Sequence, residues 1–247
     1  MHRVILKENS TQALSIHDIL DNKKLGKVTK KGTIKLKKKY NKKQLKKEIA
    51  CHLSGNKQAW QQKYLNFLSH YNHELSSIEN YQFPAFSSAI RLKKCSKDMF
   101  NRQVYLHPAA KKAWKKMQKK AQAQGIDLQI ISAYRSLAYQ KKLILNKLAK
   151  GIKLTEILKV NTLPGFSQHH TGCAIDIGSK NAAILEETFD QSQAFSWLKN
   201  NASQFNFYLT YPKNNTTGIC YEPWHWCYCK WQKTYNSNSA YKNNRKC

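Results

Sequence analysis

Acidic residues are scarce in this 247-residue chain: 14 Asp and Glu stand against 43 Lys and Arg, for a formal charge of +29. Such an excess favours contact with polyanions such as nucleic acid, teichoic acid or anionic membrane surfaces, yet it bears on association and not on fold. Long apolar runs are missing as well. No stretch approaches the roughly 18 apolar residues that cross a bilayer, so no membrane span is expected. Met1 to Asn9 has a basic start and only the short apolar run Val4, Ile5, Leu6, whereas a signal peptide needs roughly 7–15 apolar residues. No ordinary export signal is therefore expected. Seven cysteines cannot all pair within one chain, and no CxxC pair is present. A structural metal site at Cys220, Cys227 and Cys229 would lack a fourth ligand at suitable spacing, so buried free thiols or one disulfide are the expected state. Internal repeats are absent too.

The chain is long enough for one full domain and an appendage. Residues 22–47 are dominated by lysine with too few apolar side chains for a core, and residues 1–50 read as a basic, partly disordered arm, either an anchor for an anionic polymer or a solvated tail. In the helical lead-in 51–91, Trp60, Tyr64, Leu65, Phe67 and Leu68 recur at helical steps, which predicts an amphipathic helix over residues 59–71. From residue 92 to 230 the texture alternates. Pro108 in a first turn and Gly125 as a cap bound a helix from about 107 to 124. A strand over 126–132 and a helix over 136–150, closed by Gly151, follow. Further strands are expected at 174–177, 206–211 and 224–229, with a helix at about 191–202. Helices that interrupt short strands without a βαβ rhythm predict an α+β fold with a small antiparallel sheet. A polar tail occupies 231–247.

Two clusters carry chemistry. The first runs Ser167, Gln168, His169, His170, Thr171, Gly172, Cys173, Ala174, Ile175, Asp176; the second is Glu222, Pro223, Trp224, His225, Trp226. A catalytic zinc takes three protein ligands and keeps a fourth position for water, and His169, Asp176 and His225 supply that set, with His170 as the competitor for His169. In a strand from about Cys173, Ala174 and Asp176 share a face, and Gly172 permits the bend that returns His169 to Asp176. Glu222 stands three residues before His225, so Pro223 marks an irregular entry to the strand. Glu222 is then the candidate general base for the attacking water. Trp224 and Trp226 suit either a groove wall or the core.

The pattern Ser-x-His-x-x-Gly-x-Ala-x-Asp at 167–176 and Glu-Pro-Trp-His-Trp at 222–226 resembles the two zinc-site motifs of the VanY-like D-alanyl-D-alanine carboxypeptidases. A third block, Ser132, Ala133, Tyr134, Arg135, Ser136 with Gln140, is similar to the same family's substrate-binding segment. The resemblance covers about residues 92–228. It implies a Hedgehog/DD-peptidase-like fold, with Zn2+ held by His169, Asp176 and His225 and with Glu222 as base and acid. Arg135 and Gln140 would then lie near the substrate carboxylate or polarised carbonyl, with Ser167 beside them. A guanidinium suits either task. Two positions depart from the family: Cys227 replaces the usual Arg after Trp-His-Trp, and Asn206 replaces the Gly before Phe207, which Asn can mimic through left-handed backbone angles.

The resemblance implies removal of a terminal D-Ala from peptidoglycan stem peptides. Cleavage at an L,D bond or an internal lysin-like cut are the alternatives on the same fold. A non-catalytic binder of cell wall or polyanion is the reading from another class. A complete ligand set with Glu222 beside it argues against that binder. The family implies a cell-envelope or periplasmic location, and the N-terminus also fits a cytoplasmic or phage-lysin-like one.

Overall fold

The computed structural model describes residues 4–8, 14–18, 20–29, 33–37, 40, 43, 45–46, 49 and 86–229. The helix expected at 59–71 and the tail 231–247 lie outside the described residues. Ten strands and four α-helices are described, with no helix long and apolar enough to cross a membrane among them.

The centre is an antiparallel sheet of β7 (Gln129–Ser132), β8 (Ala174–Gly178), β10 (His225–Tyr228) and β9 (Phe207–Leu209), in the order β7-β8-β10-β9. Helix α1 (Pro108–Ala123) covers it. Its buried positions Ala110, Trp114, Met117 and Ala121 recur at three- and four-residue steps and pack with Ile130, Ile175, Ile177 and Phe207. His107 caps α1 by accepting from the Ala109 amide, and Gly125 at φ 75° ends it. Helix α2 (Leu137–Leu148) is capped by the Ser136 hydroxyl. Helix α3 (Leu154–Val160) is short, with Leu154, Ile157 and Leu158 buried; the sequence reading passed over this pattern. Helix α4 (Gln193–Asn201) lies within the predicted span. Asn206 sits at φ 60°, the left-handed conformation inferred for it. The α+β class with a small antiparallel sheet is thus the observed one, and a hairpin of β5 (Lys93–Lys97) and β6 (Gln103–Leu106) adds to it.

The N-terminal arm corrects the expectation of disorder. Strands β1 (Val4–Glu8), β2 (Leu14–Asp18), β3 (Lys24–Val28) and β4 (Ile34–Leu36) form a four-stranded antiparallel meander. Composition hid a two-faced strand: in β3 Leu25 and Val28 are buried while Lys24 and Lys27 face water, a pattern that departs from strict alternation where the pairing with β2 shifts register at Ile16 and His17. Ile16, Leu25 and Val28 make a small second core with Leu45, Ile49 and Ile90. The lysines sit on the solvated face, so their number says nothing against folding.

Asp18 joins the meander to the larger domain. One carboxylate oxygen accepts from Arg91 Nη1 at 3.0 Å and from His107 Nε2 at 3.0 Å; the other accepts from the Leu20 amide at 3.0 Å. Since His107 Nδ1 accepts from Ala109, its proton lies on Nε2 and points at Asp18. Burial would raise the Asp18 carboxyl, but the contact with His107, with the Leu20 amide and the charge of Arg91, outweighs it and leaves the group below its ordinary value of 3.8. Asp18→Ala strands two buried partners and should cost about 3 kcal/mol in urea unfolding at about pH 7. A depressed folded pKa contributes stability above the unfolded value and loses it as pH falls through the folded one. The gap between wild type and Asp18→Ala should therefore shrink below about pH 4; a gap independent of pH would refute the ion-pair account.

Candidate active site

Three local devices bring the separated clusters together. Ser167 caps a 3-10 helix, Gln168–Thr171, by accepting from the His169 amide at 3.3 Å. Gly172 then turns the chain at φ 69°, and a Cβ there would lie 2.9 Å from Leu92 Cδ2 and 3.0 Å from the His107 nitrogen. Only glycine fits this bend, which returns His169 over β8. The third device is register: His225 on β10 stands opposite Asp176 on β8, with Cys227 opposite Ala174. The His225 amide bonds the Glu222 carbonyl at 3.1 Å, so Pro223 and Trp224 form a tight entry turn that keeps Glu222 beside His225.

His169, Asp176 and His225 converge, with one potential ligand atom from each within 4.8 Å of the others. The ring protons dictate what this cluster is for. His169 Nδ1 lies 2.6 Å from the Ala133 carbonyl, an acceptor only, so Nδ1 bears the hydrogen. Its Nε2 is then a bare lone pair, buried without a hydrogen-bond partner and 3.3 Å from Asp176 Oδ2. His225 Nε2 lies 2.9 Å from Gln168 Oε1, and with that nitrogen donating, Nδ1 is the bare atom, 3.1 Å from Asp176 Oδ1. Burial, helped by the charge of Arg135, pushes His169 down to about 4, so protonation does not relieve the clash. Burial alone would raise the Asp176 carboxyl; contact with His169 and His225 outweighs it and holds the group well below the ordinary carboxylate range. Three acceptors facing one another without a proton fit a divalent cation. Two imidazole nitrogens and one carboxylate, each imidazole fixed by an outer hydrogen bond, are a ligand set suited to zinc with an open position.

His170, the alternative ligand, is spoken for. Its Nδ1 lies 2.7 Å from the Arg135 carbonyl and its Nε2 accepts from the Gly165 amide at 3.0 Å, which ties two loops together. Burial pushes it down to about 4, in keeping with a neutral ring.

A cleft beside the cluster is lined in part by Arg135, Gln140, Ser167, Tyr211 and Glu222. Glu222 Oε2 lies 3.6 Å from His225 Nδ1, and burial, then the charge of Asp176, pushes its carboxyl up to about 8. A cation in the cluster would oppose that shift and return Glu222 towards a base. Arg135 Nη2 stands 3.9 Å from Asp176 Oδ2, and its Nε is buried with no hydrogen-bond partner, leaving donor capacity for a ligand. Gln140 departs from the expectation of a donor for the substrate. Its amide nitrogen bonds the Thr162 carbonyl at 2.8 Å, so its unpartnered Oε1 offers an acceptor instead. Neither Trp224 nor Trp226 lines the cleft; Trp226 is in the core, its indole N–H on the Pro223 carbonyl.

Three contributors escaped the sequence reading. Gln168 orients His225 and also accepts from Thr210 Oγ1 at 3.0 Å. The Tyr211 ring centroid lies 4.9 Å from that of His225. Lys147 Nζ donates to Oδ1 of the cleft residue Asn161 at 2.5 Å. Gln168 fills a variable position of its motif and the others lie outside any motif, so spacing carried no signal for them.

Comparison with known proteins agrees with this geometry. The sequence model of the VanY family, described as D-alanyl-D-alanine carboxypeptidase, matches residues 103–231, more than half of the chain. YodJ of Bacillus subtilis, which bears a provisional carboxypeptidase name, is 36% identical over 125 residues, covering 49% of this chain and 45% of that protein. The bifunctional D-Ala-D-Ala dipeptidase and D-Ala-D-Ala carboxypeptidase VanXYC of Enterococcus gallinarum is 33% identical over 133 residues, 51% of this chain and 67% of that one. Among solved structures, the LdcB LD-carboxypeptidase aligns at 31% identity and a TM-score of 0.53, covering 59% of this chain and 71% of that chain. The chain spans less than half of YodJ and about two thirds of VanXYC.

Alanine at His169, Asp176 or His225 should each abolish stoichiometric binding of zinc, measured as metal retained after gel filtration. His170→Ala should keep the metal and lower the melting temperature, because it cuts two loop bonds and no ligand. Metal lost from His170→Ala but kept by His169→Ala would exchange the two roles.

Proposed function

We propose, from the premise that the chain belongs to the VanY family of D-alanyl-D-alanine carboxypeptidases, that it is a zinc-dependent carboxypeptidase removing terminal D-Ala from peptidoglycan stem peptides. The observation that carries the metal part is the convergence of His169, Asp176 and His225 on one point, with His169 Nε2 buried and without a hydrogen-bond partner. A zinc ion held there supplies Lewis-acid polarisation of the scissile carbonyl and makes water more acidic. The chain's own residues do the rest. Arg135 grips the terminal carboxylate through its guanidinium donors and keeps its charge at any working pH. Gln140 Oε1 and the cleft wall at Thr162 hold the peptide, with Ser167 at the substrate's polar end. Glu222 takes a proton from the attacking water at Oε2 and returns it to the leaving amine. Envelope or periplasmic placement, with stem peptides as partners, follows from that substrate.

The likeness to the LdcB LD-carboxypeptidase favours one second reading, cleavage of the L,D bond of a shorter stem on the same site. Both readings require a free carboxylate beside the cut, unlike an endopeptidase.

Glu222→Gln should retain zinc and lose about 10²–10⁴-fold in turnover, since the amide cannot accept the proton; turnover near the wild-type rate would remove Glu222 from the mechanism. A pentapeptide stem with a free C-terminus should be cut far faster than its amidated counterpart, and Arg135→Lys should not restore that preference, because an ammonium lacks the two-pronged grip. Products identified by mass spectrometry separate the readings: loss of D-Ala from the pentapeptide supports the first, cleavage confined to the tetrapeptide the second. Equal cutting of acid and amide would sink both in favour of the endopeptidase.

A further inference from the structure

Helix α1 carries a feature that neither the cleft nor the core uses. Its lysines come in three adjacent pairs, Lys111 with Lys112, Lys115 with Lys116, and Lys119 with Lys120, and the helix Pro108–Ala123 contains no acidic residue. The four-residue repeat draws two parallel rows along the face opposite Trp114 and Met117, with successive charges about 6 Å apart by the helix rise. Lys112, Lys115, Lys116 and Lys119 are exposed. Among the described residues only Lys120 of the six has a side-chain partner, Gln204 Oε1 at 2.8 Å. The rows place like charges at four i, i+4 pairs, a spacing that destabilises a helix. A face serving only solubility would intersperse glutamate and turn those pairs into favourable ones. The arrangement makes sense where an external anion supplies the missing charge.

We propose that this face docks a linear phosphodiester polymer of the bacterial wall, of polyol-phosphate chemistry, and so holds the protein on its solid substrate. The choice of a wall polymer rests on the function proposed above. A glycerol unit between phosphates is flexible and spans a distance comparable to the lysine repeat. Single-stranded nucleic acid fits less well, because binding it takes aromatic platforms and α1 exposes none, its one aromatic, Trp114, being buried. An anionic bilayer fits less well too, since an interfacial helix must offer an apolar face and that of α1 is buried in the core. No residue of α1 lines the cleft, so polymer and peptide can be held together.

The test uses the full chain and poly(glycerol phosphate), with binding followed across salt concentration. A triple variant Lys112→Gln, Lys116→Gln, Lys119→Gln keeps helix propensity. It is compared with Lys150→Gln, Lys180→Gln, Lys199→Gln, an equal loss of exposed charge elsewhere. The α1 variant should bind about tenfold more weakly at about 0.1 M salt, with a salt slope shallower by about two, while the control stays near wild type. Equal losses in both variants, or no binding by the wild type, would overturn the proposal. Duplex DNA bound as tightly and equally sensitive to the α1 variant would overturn the wall polymer in favour of nucleic acid. Soluble stem-peptide hydrolysis, run in parallel, should be the same in all three proteins. A wild type that binds polymer but cuts no stem peptide would remove the proposed function and leave the docking face standing.

Discussion

One proton assignment governs the site. The Ala133 carbonyl can only accept, so the hydrogen of His169 is held on Nδ1 and the other nitrogen must face Asp176 as a bare lone pair. Gln168 does the same for His225 from the other side. The outer hydrogen bonds, not the ligands themselves, therefore create the demand for a cation, and they explain several features of the fold. Ala133 is placed by the exit of β7, Gln168 by the 3-10 helix that Ser167 caps, and the two rings by the bend at Gly172 and the register of β8 with β10. A shift by one residue in that register would turn His225 to the opposite face of the sheet.

The scarcity of acids sharpens the same logic. Several of the described ones hold the fold together: Asp98 binds Arg102 at 2.7 Å, Asp190 binds Lys213 at 2.9 Å and Tyr221, and Asp18 and Asp21 hold Arg91. Asp176 and Glu222 occupy the site. Arg135 in the cleft and Lys147 behind it place positive charge near the buried Asp176 and Glu222 carboxyls, an electrostatic setting suited to an anionic ligand. Lys147 illustrates the crowding: burial, then the charge of Arg135, lowers its pKa, and Glu222 opposes that shift.

Much of this was legible in the sequence because it depends on short-range patterning. Helix α1 was marked by Pro108 and Gly125, and the candidate ligands by residue type beside Gly172 and Pro223. What escaped depends on contacts between distant segments. The lysine count of residues 22–47 suggested disorder, whereas pairing across β2, β3 and β4 buries Leu25 and Val28 in one cluster with Ile90, with Ile34 and Leu36 packed against it. The motif singled out Gln140, which lines the cleft, but the bond that fixes its amide comes from Thr162, 22 residues away, which no spacing rule foretells. His170 could not be separated from His169 by type, whereas in the fold the Arg135 carbonyl and the Gly165 amide occupy both of its ring nitrogens.

The central claim is that the bare nitrogens of His169 and His225 and the Asp176 carboxylate await one ion. Anomalous diffraction at the zinc edge from crystals grown with zinc tests this most directly. The account predicts a single strong peak in the cleft, about 2.0–2.2 Å from His169 Nε2, His225 Nδ1 and an Asp176 oxygen, with Glu222 close by and outside bonding distance. A peak bonded to His170, or a cluster that stays empty at saturating zinc, would contradict it.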